Sequence, residues 1–173
     1  PWPGVEPIVT EEEAYFIGLM VGDGCVTHRS GVMSFTSKEP ADDLLSWVTR
    51  FLAGRGIEAR PDSKPIEIRW CSSALKEQME HLWGVEIATA RSKRLPHAIR
   101  DDRSARAFLR GYTDTDGCVY QGPNLKDRCV VWISASELLL RDVQQLLLAF
   151  GVYATLTRAD KDEFGGHFEQ WRL

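Results

Sequence analysis

The sequence predicts an α+β fold in which one αββαββ unit is used twice, and three observations carry that prediction. A nine-residue stretch, Phe16-Ile17-Gly18-Leu19-Met20-Val21-Gly22-Asp23-Gly24, has a partner in Leu109-Arg110-Gly111-Tyr112-Thr113-Asp114-Thr115-Asp116-Gly117. Both have Gly third, a small residue seventh and Asp-Gly last, and both run on into Cys-Val. After each copy come short alternating segments, an amphipathic helical pattern and further short segments. Hairpins placed between helices in this way give two antiparallel sheets flanking a central pair of packed helices, each sheet free to keep one face in solvent.

Taken in order, Pro1–Pro7 is an extended arm. Thr10-x-x-Glu13 has capping-box spacing, which satisfies orphan N–H groups and opens the helix that ends at Asp23. Cys25–Ser37 alternates loosely about a turn at Arg29-Ser30-Gly31 and reads as a hairpin. Across Asp42–Gly56, Leu44, Leu45, Val48, Phe51 and Leu52 fall on one helical face, closed by Gly54 and Gly56. Ile57–Trp70 gives two strands around Pro61–Pro65, and Ser73–Trp83 a helix with Leu75, Met79 and Leu82 inward. The second motif helix begins near Asp102 or Ser104. Strands in Cys118–Ser136, a helix over Leu138–Phe150 and strands in Val152–Leu173 then repeat the pattern. The first repeat, residues 1–97, adds a closing helix and a basic loop; the second, 98–173, ends before any counterpart of Ser73–Pro96.

The first motif is apolar all round, as a buried helix is. Glycine weakens helices, so Gly18 and Gly22, one turn apart, need a reason, and Gly111 with Thr115 poses the same question. Such a strip of bare backbone lets two helices approach closely, which sets Asp23 and Asp116 side by side at the helix ends. The C-terminal end of the macrodipole is negative, and a second acid nearby adds repulsion. A divalent cation reverses that argument, since hard oxygen ligands with open water positions suit Mg²⁺. A single Asp-Gly is as readily a plain helix stop; two copies with the same spacing argue for a site.

Bulk properties set limits. With 173 residues, 43% of them hydrophobic, the chain builds a real core, and no run is long and apolar enough to span a membrane. Cys25, Cys71, Cys118 and Cys129 form no zinc-type pattern and are expected to be reduced, buried thiols in a cytoplasmic protein. Net charge is −4, against the basic surface that nucleic acid calls for, yet Arg91, Lys93, Arg94, Arg100, Arg103, Arg106 and Arg110 cluster against only Asp101 and Asp102. His28, His81, His97 and His167 are scattered, and no phosphate-cradling Gly-rich loop or Ser/His/Asp arrangement stands out.

The two motifs resemble the paired LAGLIDADG motif of homing endonucleases. The likeness covers most of the chain and is closest to the endonuclease domains of inteins: Phe16–Gly24, then Lys93-Arg94-Leu95-Pro96, then Leu109–Gly117, then a helix ending in Phe150-Gly151. Each motif alone is weak; their order and spacing together are specific. The ends Pro1 and Leu173 lack the residues that splicing needs, so an endonuclease part or a free-standing relative is expected.

The resemblance implies a monomeric, site-specific double-strand DNA endonuclease whose sheets form a saddle along a long DNA site. Asp23 and Asp116 are then the catalytic metal ligands, one per strand, with the carbonyls of Gly22 and Thr115 also on metal. The cofactor implied is Mg²⁺, or Mn²⁺, with Ca²⁺ as a non-cleaving substitute. Lys93 is a plain phosphate contact or a basic helper at the scissile phosphate, and the resemblance favours the second. Its counterpart in the second repeat lies beyond residue 173. Asp114 is read as a helix-end or interface residue. For the open sheet faces and basic loop, the DNA-side donors expected are Thr27, Arg29, Ser34, Thr36, Arg60, Lys64, Arg69, Arg91, Arg94, Gln121, Lys126, Arg128, Arg158 and Gln170, long side chains able to reach base edges in a major groove. A non-cleaving regulator or maturase on the same scaffold is the alternative, and a protein-interaction module the third reading.

Overall fold

In the computed structural model, which describes residues 8–26, 30–35, 38–63, 66–85, 89–121, 128–159, 161–163 and 166–173, the two motifs form α1 (Glu11–Asp23) and α4 (Asp102–Asp116). The Thr10–Glu13 capping box opens α1 with three glutamates in its first turn, where the dipole favours acids. Asp101 caps α4, its carboxylate accepting from the N–H groups of Arg103 and Ser104. Residues Ala14 to Val21 of α1 are all buried.

The two helices meet backbone to backbone. A Cβ at Gly18 would lie 2.3 Å from the Phe108 carbonyl oxygen, and one at Gly111 would lie 2.2 Å from that of Tyr15. Further down, a Cβ at Gly22 would collide with the Thr115 side chain. The glycine strip read from the sequence is therefore the crossing point of the fold.

Each helix feeds a four-stranded antiparallel sheet. In the first, β1 (Gly24–Val26), β2 (Ser30–Phe35), β3 (Ala59–Ser63) and β4 (Ile66–Cys71) run in the order β1-β2-β4-β3, with α2 (Lys38–Ala53) between β2 and β3 in the chain. Pro61 sits in β3, an edge strand, where a missing N–H is tolerated. After β4, α3 (Ser73–Glu77) continues into π-helical turns over Gln78–Trp83. In the second sheet, β5 (Gly117–Gln121), β6 (Arg128–Ser134), β7 (Thr157–Arg158) and β10 (Trp171–Arg172) take the order β5-β6-β10-β7, with α5 (Glu137–Ala149) between β6 and β7 in the chain. A separate ribbon, β8 (Lys161–Glu163) with β9 (Gly166–Phe168), is an addition that the first repeat lacks among the described residues. The core joins both repeats through α1: Phe16 stacks on Phe51 at 4.4 Å and meets Trp83 edge-on.

Three expectations are corrected. Helix α2 starts at Lys38 rather than Asp42, because a proline is accommodated in a first turn. Leu82 is half exposed and Trp83 is fully buried in its place, since the wider π winding carries Leu75, Met79 and Trp83 to the core. All four cysteines are free, as expected, but exposed; alternation along solvated sheets turns them away from the helices. Thr27, Arg29, Thr36, Lys64, Lys126 and the arm Pro1–Pro7 lie outside the described residues.

Candidate active site

Both motif helices end the same way. Gly24 and Gly117 take the C-cap with extended backbone and donate their N–H groups to the Met20 and Thr113 carbonyls, so the chain turns at once from helix into strand. This leaves Asp23 and Asp116 at adjacent helix ends. Neither helix has a basic residue in its last turn. The missing cation comes from a distant loop: the Lys93 ammonium donates to the Gly22 carbonyl at 2.9 Å and also to that of Val21.

That loop is clamped from the other repeat. Asp142 of α5 accepts two hydrogen bonds from the Arg94 guanidinium, at 2.7 and 3.0 Å, and one from the Leu95 N–H at 3.1 Å. The Ser136 hydroxyl, at the start of α5, donates to the Lys93 carbonyl at 2.7 Å. Lys93 thus spans the repeats, with its backbone fastened to the second and its charge at the first helix's end.

The electrostatics are those of crowded acids with one counter-cation. Burial pushes the Asp116 carboxyl up to about 6; Lys93 opposes the shift and the neighbouring Asp23 charge adds to it. Burial also raises Asp23, again against Lys93. The ammonium is lowered by burial and held up by Asp116, Asp23 and Cys25. Tyr112 is fully buried, and its hydroxyl lies against Asp116 and Ser134 without a hydrogen-bond partner.

The donor set fits a hard divalent ion. Two carboxylates and helix-end carbonyls converge, and an ammonium already rests on those carbonyls as a stand-in cation. No group of three or more His, Cys, Asp or Glu side chains converges among the described residues, so water and phosphate oxygens would have to complete the shell, as Mg²⁺ commonly allows. Asp114 is an interface residue, accepting from the Tyr15 hydroxyl at 2.7 Å across the helix pair. Burial and that acid push Tyr15 up to about 12, which keeps it a donor.

Residues 103–170 match the family model described as a LAGLIDADG-like domain. The second repeat of the chain is a LAGLIDADG-like domain. A 149-residue stretch is 32% identical to part of the probable translation initiation factor IF-2 of Thermococcus kodakarensis, covering 84% of this chain and 12% of that protein. Another, 25% identical over 171 residues, lies in the replicative DNA helicase DnaB of a Synechocystis species, covering 91% of this chain and 20% of that one. The chain therefore spans a fifth or less of these relatives. Among solved structures, the homing endonuclease I-DmoI in complex with DNA and calcium superposes with a TM-score of 0.59 at 16% identity, over 96% of this chain and 84% of that one. The N-terminal LAGLIDADG domain of DUF199/WhiA gives 0.54 at 15%, over 96% and 77%. At these identities the structural likenesses establish the fold.

Outside the LAGLIDADG helices, strand register sorts the expected DNA-side residues. In the first sheet Arg69 and Arg60 lie in one row with Cys25 and Val32, opposite in face to the buried Met33 and Ile68. Ser34 shares that outer face and donates to Glu67 at 3.0 Å, while Arg69 also donates to Glu67 through Nε at 2.9 Å. Arg60 pairs with Glu58. The second sheet departs from the expectation. Gln121 pairs with Arg128, and Arg158 with Trp171, in register positions on the side of Trp132, whose indole donates to Thr113 of α4. Face assignment needs the pairing register, and a shift of one residue reverses it. Arg158 is also bonded to Glu169. Arg172, opposite Ile133 and Thr157, takes the outer face instead; the sequence reading missed it because its register is fixed only by pairing with β6 and β7. Arg91 and Arg94 are exposed, and Gln170 is half-buried. The rest of the basic run is largely engaged within the protein, with Arg103 on Glu11 and the Arg106 and Arg110 guanidinium groups over Phe150 and Tyr15.

Proposed function

We propose that this chain is a site-specific double-strand DNA homing endonuclease using divalent metal ions, with one motif acid serving each strand. The observation that carries the reading is the meeting of Asp23 and Asp116 at paired helix ends over a cation-accepting set of carbonyls. The DNA complexes of I-DmoI were obtained with calcium and with manganese, in keeping with Mg²⁺ or Mn²⁺ as the active ion and Ca²⁺ as a silent substitute. Asp23, Asp116 and the carbonyls of Gly22 and Thr115 would hold it. Such an ion supplies charge relief at a phosphodiester and a nucleophilic water at neutral pH.

The chain's own groups do the rest. Released from the Gly22 carbonyl, the Lys93 ammonium is free to meet developing negative charge at the scissile phosphate. The outer-face donors Ser34, Arg60, Arg69 and Arg172 bind and orient the duplex, together with Arg91, Arg94 and Gln170 and with Thr27, Arg29, Thr36, Lys64 and Lys126. Both motif acids are on one chain, so a monomer suffices. A probable translation initiation factor and a replicative DNA helicase each contain a stretch similar to most of this chain, which supports reading it as an inserted segment such as an intein-borne nuclease.

The test is cleavage of a plasmid library of randomised sites with and without Mg²⁺. Asp23→Asn or Asp116→Asn should each remove double-strand cleavage and leave salt-dependent DNA binding intact. Normal cleavage by the doubly substituted chain overturns the assignment. The second reading, a non-cleaving DNA binder, is favoured by the neutralisation of Arg69 by Glu67 on the outer face and by the WhiA-type neighbour; DNA binding without Mg²⁺-dependent cleavage would establish it.

A further inference from the structure

The two halves of the site differ at one position. Four residues before Asp23, on the same face of the helix, stands Leu19; four residues before Asp116 stands Tyr112. Both side chains are fully buried in the helix-pair core. A phenol costs more than a leucine there, because a buried hydroxyl without a partner forfeits its hydrogen bonds to water. Tyr112 carries that cost in full: its hydroxyl is inaccessible, lies beside the Asp116 carboxyl and Ser134, and completes a hydrogen bond to neither. The Ser134 hydroxyl oxygen already accepts from the Ser136 N–H. The Asp116 carboxylate, an acceptor only and with the most lone pairs to offer, is the stronger partner for the phenol.

We propose that Tyr112 is a positioning residue for Asp116, its hydroxyl donating to one carboxylate oxygen and turning the other towards the cation when a divalent ion is bound. The assignment rests on the divalent-metal reading above. A carboxylate with a fixed donor behind it presents a single oxygen in a set direction, which is how partners behind a metal ligand strengthen a site. Asp23 has no such donor from position 19, so the two acids are unequal ligands.

The test is a Mn²⁺ titration of the full chain without DNA, read as loss of the free-ion electron paramagnetic resonance signal. Tyr112→Phe keeps the ring and removes only the hydroxyl; it should weaken Mn²⁺ binding by about 10-fold, the lower range for a lost partner of a metal ligand. The loss should disappear when Asp116→Asn is already present and persist beside Asp23→Asn, a pattern that general loosening of the helix pair would not produce. Unchanged affinity in Tyr112→Phe, or an equal loss in both Asn backgrounds, overturns the assignment while leaving the nuclease reading intact. A parent chain that fails to bind Mn²⁺ at all removes the metal reading and this assignment with it.

Discussion

Lys93 donates to the Gly22 carbonyl at 2.9 Å across 71 residues of chain, so the end of the first motif helix is capped by a loop that the second repeat holds. Helix ends that leave carbonyls towards a polar cleft are ordinarily satisfied by water or a cap. Here the cap is charged, and it comes from the segment that also bonds to α5. One residue thus joins the cation site, the helix-pair seam and the inter-repeat contact.

Loosening the clamp should separate positioning from folding. Asp142→Asn weakens the bidentate Arg94 pair yet retains an acceptor for the Leu95 N–H. The Arg94 side is half exposed, so stability should fall by no more than about 1 kcal/mol. Cleavage should slow at least several-fold in kcat, with DNA affinity little changed, because Lys93 loses its fixed approach to the site. Equal cleavage rates with a measurable stability loss would mean that the clamp is purely structural.

The pH dependence of stability follows from Asp116. Its carboxyl is raised by burial to about 6, so the native protein holds a proton that the unfolded chain has already released. The stabilisation is complete below the ordinary carboxylate pKa and is lost as pH rises through about 6. Asp23, also raised, acts in the same direction. Metal-free melts at pH 5.0 to 7.5 should show a parent that loses stability on the alkaline side relative to Asp116→Asn, by about 1.4 kcal/mol, the rest of the effect of about 3 kcal/mol falling below pH 5. A parent and variant that change in parallel across that range would refute the buried-acid account.

The glycine strip offers a sharper stability test. At Gly18 the nearest atoms to an added Cβ are backbone, the Phe108 carbonyl oxygen and the Tyr112 nitrogen, which cannot rotate aside. Gly18→Ala should force the helices apart and cost at least about 3 kcal/mol, the upper range for overpacking. Gly54→Ala, where an added Cβ makes only ordinary contact at 3.5 Å, is the control and should be close to neutral. Urea denaturation of both variants reads the difference directly.

These outcomes also mark how much could be read without coordinates. The capping box and the duplicated motif sufficed for α1 and α4, the amphipathic pattern for α5, and the paired Gly-x-x-x-small spacing for the helix crossing, because each is a local pattern with one packing solution. Three things were out of reach for the same physical reason. The exchange of Leu82 for Trp83 follows from π winding, which leaves no residue signature. The faces of Gln121, Arg128 and Arg158 follow from a register set by long-range pairing. The Asp142 clamp joins residues far apart on two repeats, and the idle hydroxyl of Tyr112 is visible only when its surroundings are. Local rules placed the elements; contacts between elements decided which side chains share a site.

Charge on the outer face of the first sheet gives the last test. Glu67 is buried on that face and accepts from both Ser34 and Arg69, so one carboxylate occupies two of the groups best placed to meet DNA. A phosphate approaching Arg69 must compete with Glu67, and the acid itself repels the backbone of the duplex. Glu67→Gln keeps the volume and an acceptor for Ser34 while removing the charge. If the sheet lies on DNA, binding should tighten by several-fold at low salt, and the slope of log affinity against log salt should steepen by about one, the increment for one added phosphate contact. Fluorescence anisotropy with a random-sequence duplex is enough, since phosphate contacts carry no sequence preference. An unchanged affinity and slope would place the duplex away from this face, and the saddle assignment of the first sheet would fail with it.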